Sequence, residues 1–384
     1  MKHLYAIIYF LLVFSTNNIF AAPITSRVSG NWNSSATWVG GVVPVVGDAV
    51  VIANGHTVTV DVDAFCASVT IGNGPRNSTS TLTIDDGIVL TVSGNIRIRQ
   101  PLHGTNNNIL NVNAGIVYCL SLITANSVSN SRKCIVNIST GMLSCTANFA
   151  FASNINRNKL VFSGSGILQI AGTASTLLNA QFTAATGTIN YNAAGNQNIL
   201  PLDYYTLACS VGGIKSLSSN TEVTGDLQIN NNAQLDVTVA NNYSLDVGGN
   251  WLVTSTNANP FIENKGTVTF NGTAATQTLS TQLPGETFYT LIVDNTAANP
   301  TDIKFNSNCM VTQEYDQYNG ILDLNIKLPY FPHADWMIII EFASFFYKFF
   351  NIGAYNKISL FQKKYYLNFE VWFIPLSLRS LKIY

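Results

Sequence analysis

Ile109-Leu110-Asn111-Val112-Asn113-Ala114-Gly115-Ile116-Val117-Tyr118-Cys119 aligns without a gap on Ile135-Val136-Asn137-Ile138-Ser139-Thr140-Gly141-Met142-Leu143-Ser144-Cys145, at an offset of 26 residues. The glycine at the centre of this unit recurs at Gly87, Gly166 and Gly187, so the five glycines are spaced 28, 26, 25 and 21 residues apart. Two and four residues after each glycine stand Val89 and Thr91, Val117 and Cys119, Leu143 and Cys145, Leu168 and Ile170, and Ile189 and Tyr191. Alternate residues of a strand share a face, so these pairs should stack as inward ladders. A 20-to-30-residue coil that buries one ladder on the next describes a right-handed parallel β-helix, an all-β fold. A string of separate β-sandwiches is the rival, and the fixed 26-residue unit favours the solenoid.

The surrounding sequence has the same texture. Between Pro23 and Asn325 it is rich in Thr, Ser, Asn, Gly and Val, with alternating runs such as Val58-Thr59-Val60-Asp61 and Thr267-Val268-Thr269-Phe270. Period-two alternation of β-branched residues between Gly and Asn turns reads as strand after strand. A longer repeat is also visible. Gly187–Asn192 resembles Gly266–Asn271, Tyr204–Leu207 resembles Phe288–Leu291, and Gln234–Val237 resembles Ile321–Leu324, which suggests a duplicated block of several coils.

The whole chain has 384 residues, a net charge of −1, 47% hydrophobic and only 10% charged residues. That composition argues against nucleic-acid binding, which needs a concentrated basic face, and against charge-driven disorder. The average conceals two unusual ends. Residues 1–22 read as an export signal: a basic start at Lys2, an apolar run Leu4 to Phe14, and small residues at Ala21-Ala22. The run is short for a membrane span. From Ile326 to Tyr384 there are 17 aromatics in 59 residues, one glycine and no threonine. A transmembrane helix is disfavoured there because Glu341 and Lys348 interrupt the best window. The composition favours an out-of-frame translation of AT-rich DNA, with a membrane-associated tail as the next reading. The resulting organisation is a signal peptide (1–22), N-terminal capping coils (23–75), a β-helix array (76–325) and an anomalous tail (326–384).

The capping segment carries the most specific local pattern. Trp32-Asn33 and Thr37-Trp38 precede Gly40-Gly41-Val42-Val43-Pro44, then Gly47-Asp48-Ala49-Val50-Val51-Ile52 and Gly55-His56-Thr57-Val58-Thr59-Val60-Asp61. This resembles the secreted domain named for its eight glycines, found in fibrocystin-like and hyaluronan-linked cell-surface proteins. It is also similar to the first coils of long repetitive surface proteins of Bacteroidetes-type bacteria. The resemblance spans about Ser29 to Asn325 and implies an exported surface protein. Those bacterial proteins usually end in a sorting domain, and the aromatic tail stands in that place here. On the residues alone, Ala49–Ile52 and Thr57–Asp61 are expected to pair as strands across turns at Pro44, Gly47-Asp48 and Gly55-His56. Trp32 and Trp38 are expected to plug the solenoid end, with sugar stacking as the alternative.

The search for chemistry is short. His3 and His333 lie in the ends, leaving His56 and His103 far apart, without metal-ligand spacing. No nucleophile elbow, phosphate loop or dinucleotide fingerprint occurs. Asp61 and Asp63 should share a strand face, and Asp85-Asp86 are followed by Arg97 and Arg99, the residue types of a polysaccharide lyase. Calcium wants six to eight oxygens, so solvent-facing structural carboxylates are preferred. Six cysteines stand at 66, 119, 134, 145, 209 and 309. Cys119 and Cys145 should be ladder neighbours, either disulfide-bonded or as reduced buried thiols. No catalytic residue, metal site or cofactor is assigned. The expected function is adhesive or structural, with extracellular glycans or cell-surface components as partners and no membrane span in the repeat region. The alternatives are a carbohydrate-active β-helix enzyme, favoured by three or more converging charged residues, and a sugar-binding module, favoured by a row of exposed aromatics.

Overall fold

The computed structural model describes residues 23–324, apart from 74–77, 102–103, 126–128, 274–275, 283–284, 297–302 and 321. The expected export signal (residues 1–22), the aromatic tail and His103 lie outside the described residues. The described chain is a parallel β-solenoid without an α-helix. Its spine is a sixteen-stranded parallel sheet, here the long sheet. Fourteen of its strands follow in chain order, from Ile24–Thr25 to Leu322–Leu324. In the N-terminal half a seven-stranded sheet runs beside it, from Gly30–Asn31 to Gln181–Thr183. In the C-terminal half two sheets take that place. One has four strands, from Gln197–Ile199 to Phe261–Ile262, and the other five, from Thr221–Val223 to Cys309–Asn319.

The 26-residue unit is the coil. Ile116 to Cys119 pair residue for residue with Met142 to Cys145, and Ile109 with Ile135 on the seven-stranded side. One inward column of the long sheet runs Leu90, Val117, Leu143, Leu168, Ile189, Leu207, Leu227 and Trp251 in unbroken register. All are buried, and each aliphatic member of such a column contributes about 1.5–3 kcal/mol of burial. Stacking needs close backbone approach where the coils turn. A Cβ on Gly141 would collide with the carbonyl oxygen of Gly115, and one on Gly115 with that of Asp85. Those glycines are therefore required by contact between coils.

Three sequence expectations need correction. Gly87 is not equivalent to Gly115: Val89 pairs with Ile116, so the inward residues of that coil are Leu90 and Val92, not Val89 and Thr91. The cause is local, because Gly87 takes a left-handed φ of 73° in a longer corner that shifts the phase by one residue. Second, Ala49–Ile52 and Thr57–Val60 do not pair with each other. The first joins the long sheet between Ile24–Thr25 and Ser68–Ile71, the second the seven-stranded sheet between Gly30–Asn31 and Ser80–Ile84. In a parallel coil, consecutive strands occupy successive sides, and hydrogen bonds go to strands of the neighbouring coils. Third, the duplicated block does not superpose side on side. Thr188–Tyr191 and Thr206–Cys209 pair on the long sheet, whereas Thr267–Phe270 and the Thr290–Val293 segment pair on the five-stranded sheet. Gln234–Asp236 lies on the four-stranded sheet and Leu322–Leu324 on the long one. Because the chain visits the long, four-stranded and five-stranded sheets in that order, each repeated strand sits two sides further round.

The abundant asparagines, together with a few aspartates, close the corners. Asp226 accepts the backbone N–H of Asn250 at 2.7 Å, and Asn250 in turn accepts that of Thr278 at 2.9 Å. Asn220 does the same for Ser244 and Asn242 for Lys265. Corner N–H groups that no sheet satisfies are met by a side chain one coil back, a requirement for buried backbone.

Candidate functional site

The acidic candidates are used in the same way. Asp61 and Asp63 lie in the corner between Thr57–Val60 and Ala64–Cys66, not on one strand face as expected. Asp61 accepts the N–H of Asn33 at 3.0 Å and Asp63 that of Val89 at 2.9 Å. Asp86 accepts from Ala114 N and Asp85 from Asp86 N, both at 3.0 Å. Arg97 and Arg99 stand exposed at the far end of the Val89–Arg99 strand, which begins only beyond the Asp85-Asp86 corner. Among the described residues, no group of three or more His, Cys, Asp or Glu side chains is placed to hold a metal ion.

His56 has a partner that the sequence did not show. Ser26 Oγ lies 2.8 Å from His56 Nδ1 and accepts the N–H of Ala53 at 2.8 Å. The pair joins residues 30 apart when the first coil closes. Ser26 is buried, and its oxygen is already engaged by two groups, so the arrangement fixes a turn and leaves no free nucleophile. Trp32 and Trp38 are both buried, with ring centroids 5.1 Å apart at 77°. Trp38 Nε1 donates to the Trp32 carbonyl at 2.7 Å. They form the plug, not a sugar platform.

The interior contains polar groups of greater chemical interest. Cys119 and Cys145 are register partners with Sγ atoms 3.4 Å apart, and both thiols are free. The contact with Cys119, followed by burial, holds the Cys145 thiol well above its ordinary range. Alkylation in denaturant without reductant is expected to label both residues. Protection of both until a reductant is added would instead reveal a disulfide.

Lys215 is fully enclosed and donates from Nζ to the carbonyls of Ala193 and Gly195, each at 2.8 Å. Gln197 caps Ile170 and Gly172 in the same manner, and Gln277 caps Val247 and Gly249. Lys215 therefore does the work of a corner amide while carrying a charge, and burial pulls its ammonium down to about 8. Glu286 is 3% exposed and accepts from Trp251 Nε1 at 3.2 Å and from its neighbour Thr287 N. Burial pushes its carboxyl up to about 7 against those hydrogen bonds, with Glu263 adding to the rise. Such a value suits proton transfer, but the carboxyl faces the buried Trp251.

What the solenoid offers to solvent is its outward rows. On the seven-stranded side the register row reads Asn31, Thr59, Thr83, Asn111, Asn137, Val161 and Thr183. Asn137 Nδ2 donates to Asn111 Oδ1 at 2.8 Å, so part of this row is a side-chain amide ladder. On the long sheet the matching row reads Phe65, Thr91, Tyr118, Ser144, Gln169 and Asn190, of which Ser144 is buried. Neither row contains a charged side chain. No protein-family model, curated protein or solved structure matches this chain. The function must therefore be argued from these surfaces. Ser26, Lys215, Glu286, Phe65 and Tyr118 are the notable residues that sequence reading missed. Only the exposure of Tyr118 had a signal, since it falls between the inward Val117 and Cys119.

Proposed function

We propose that this chain is an exported, non-catalytic β-solenoid with an adhesive or structural role at the cell surface, and that its partners are extracellular glycans. The observation that carries the reading is the use made of its carboxylates. Asp61, Asp63, Asp85 and Asp86, the residues a lyase or hydrolase would need, accept backbone N–H groups. The two outward rows described above are neutral hydroxyl, amide and aromatic surfaces. Neutral polar rows suit ligands rich in hydroxyl groups, which gain little from charge. The export signal and the resemblance of the Trp32–Asp61 segment to surface proteins supply the address. No helix of the described residues is long and apolar enough to cross a membrane.

The test is a glycan array probed with the full chain, run beside an assay for newly released reducing ends. Retention on a glycan class without release of ends is the expected result. Depolymerisation of any bound polysaccharide would overturn the reading in favour of a carbohydrate-active β-helix. Retention on no glycan would remove the partner from it.

A further inference from the structure

Phe65, Thr91 and Tyr118 occupy three consecutive rungs of the long sheet in direct register, although Phe65 and Tyr118 are far apart in sequence. Each stands between inward neighbours: Ala64 and Cys66, Leu90 and Val92, Val117 and Cys119 are all buried. Phe65 is 51% exposed, Tyr118 41% and Leu120, two residues on, 45%. Large aromatics normally bury most of their surface, and a grouped exposure is the informative kind. Elsewhere the solenoid packs its aromatics inside, as at Trp251, Phe261, Phe270 and Phe288. Phe65 and Tyr118, like the distant Tyr318, depart from that use of aromatic residues.

The register sets the spacing. Neighbouring strands lie about 4.8 Å apart, so the two side chains are rooted about 10 Å apart along the solenoid axis. That is comparable to the length of a disaccharide unit in an extended β-linked chain. The row continues past the buried Ser144 to Gln169 and Asn190, which offer two amides and no charge. A pyranose ring has an apolar face of C–H groups and an equator of hydroxyls, which an aromatic face and flanking amides complement. The absence of charge from the row selects against an anionic chain.

Resting on the glycan reading above, we infer that Phe65 and Tyr118 form the binding platform, and that its ligand is a neutral, linear, β-linked polysaccharide laid along the solenoid axis. One sugar stacks on each aromatic ring, and the half-buried amides of Gln169 and Asn190 meet the hydroxyls of sugars further along the row.

The experiment compares the full chain with Phe65→Ala, Tyr118→Ala, the double variant, Tyr118→Phe and the distant exposed-aromatic control Tyr318→Ala. Each is measured for retention on insoluble cellulose, chitin, mannan and β-1,3-glucan, with light scattering for oligomeric state. All three positions substituted are exposed surface, where truncation shifts stability little, and thermal melts verify folding. Wild type should be retained on at least one of these polymers. Binding should fall about tenfold or more in the double variant, as expected when anchoring aromatics are lost. It should survive in Tyr118→Phe and Tyr318→Ala. If wild type binds no glycan, the glycan partner is removed from the functional reading and the platform fails with it. If wild type binds and the double variant binds equally well, only the platform is refuted. A dimer that dissociates in the double variant without loss of glycan retention would assign the pair to a second copy of the chain and overturn the inference.

Discussion

Trp251→Ala is expected to destabilise the C-terminal coils by about 4 kcal/mol, the range for a large aromatic removed from a packed core. Trp251 is fully buried, stacked in register between Leu227 and Leu279. Its ring meets Phe261 at 4.9 Å, Phe288 at 5.2 Å and Phe270 at 6.1 Å between centroids. Truncation opens a cavity at the centre of this cluster. It also strips the indole donor from Glu286, leaving a buried oxygen without that partner. Trp251→Phe separates the two effects, since it keeps most of the ring contacts and loses only the hydrogen bond. It should cost about 1–3 kcal/mol. Because each coil contacts only its neighbours, the damage should stay local. Guanidinium unfolding followed by circular dichroism should show an early transition for the C-terminal coils, with the N-terminal coils melting near the wild-type midpoint. A loss below about 1 kcal/mol would contradict the packing described here.

Stability should also fall as pH rises from about 4.5 to about 7, because of Glu286. Its carboxyl is raised to about 7 in the fold from an ordinary 4.5. The folded state therefore holds a proton that the unfolded state releases in this window, and stability declines with pH. A displacement of that size corresponds to about 3 kcal/mol, an order-of-magnitude figure for a buried group. Glu286→Gln keeps an acceptor for Trp251 and removes the charge. Its advantage over wild type should be absent near pH 4 and full above pH 8.

Lys215 has the opposite sign. Its ammonium is lowered to about 8 from 10.5, so the unfolded state binds the extra proton between those values and wild-type stability gains with pH there. Lys215→Gln can place an amide donor where Gln197 and Gln277 use theirs, so its advantage over wild type should be greatest below pH 8 and vanish towards 10.5. The effect is read as a difference between variant and wild type. The buried thiols of Cys66, Cys134 and Cys209, pushed up to about 12 by burial, pull wild-type stability down above pH 9. Urea midpoints measured across pH 4 to 10 on the three proteins decide the matter. Parallel curves for Glu286→Gln and wild type would contradict a neutral buried carboxyl.

The residues explain why some of this was legible beforehand. The pair of units ending in Cys119 and Cys145 differs in no spacing, so their register could be read directly, and the structure has the same 26-residue coil. Trp32 and Trp38 are large and apolar, and burial follows from area alone. The corner that starts at Asp85 was not legible. Whether a glycine turns left-handed, as Gly87 does, or permits close contact between coils, as Gly141 does, depends on the neighbouring coil. Ile214-Lys215-Ser216-Leu217 shows the same limit, because the alternation invites Ile214 inward. Register with Gln197 and Leu235 instead turns Lys215 and Leu217 in, and the carbonyls of Ala193 and Gly195 accept the charge.

By itself, the sequence determined that this is an all-β stack of short parallel strands, what its repeat is, and which residues of four coils form the inward ladder. Those properties follow from period-two alternation and from spacing along the chain, which are local. Only the tertiary structure decided which side each strand joins, where the phase slips, and which distant residues meet. Ser26 reaches His56, Trp251 reaches Glu286, and Phe65 joins the row of Tyr118. Each of these meetings depends on the length and geometry of the corners between strands. A corner one residue longer moves every following side chain to the opposite face, and the strand pattern alone does not specify its length.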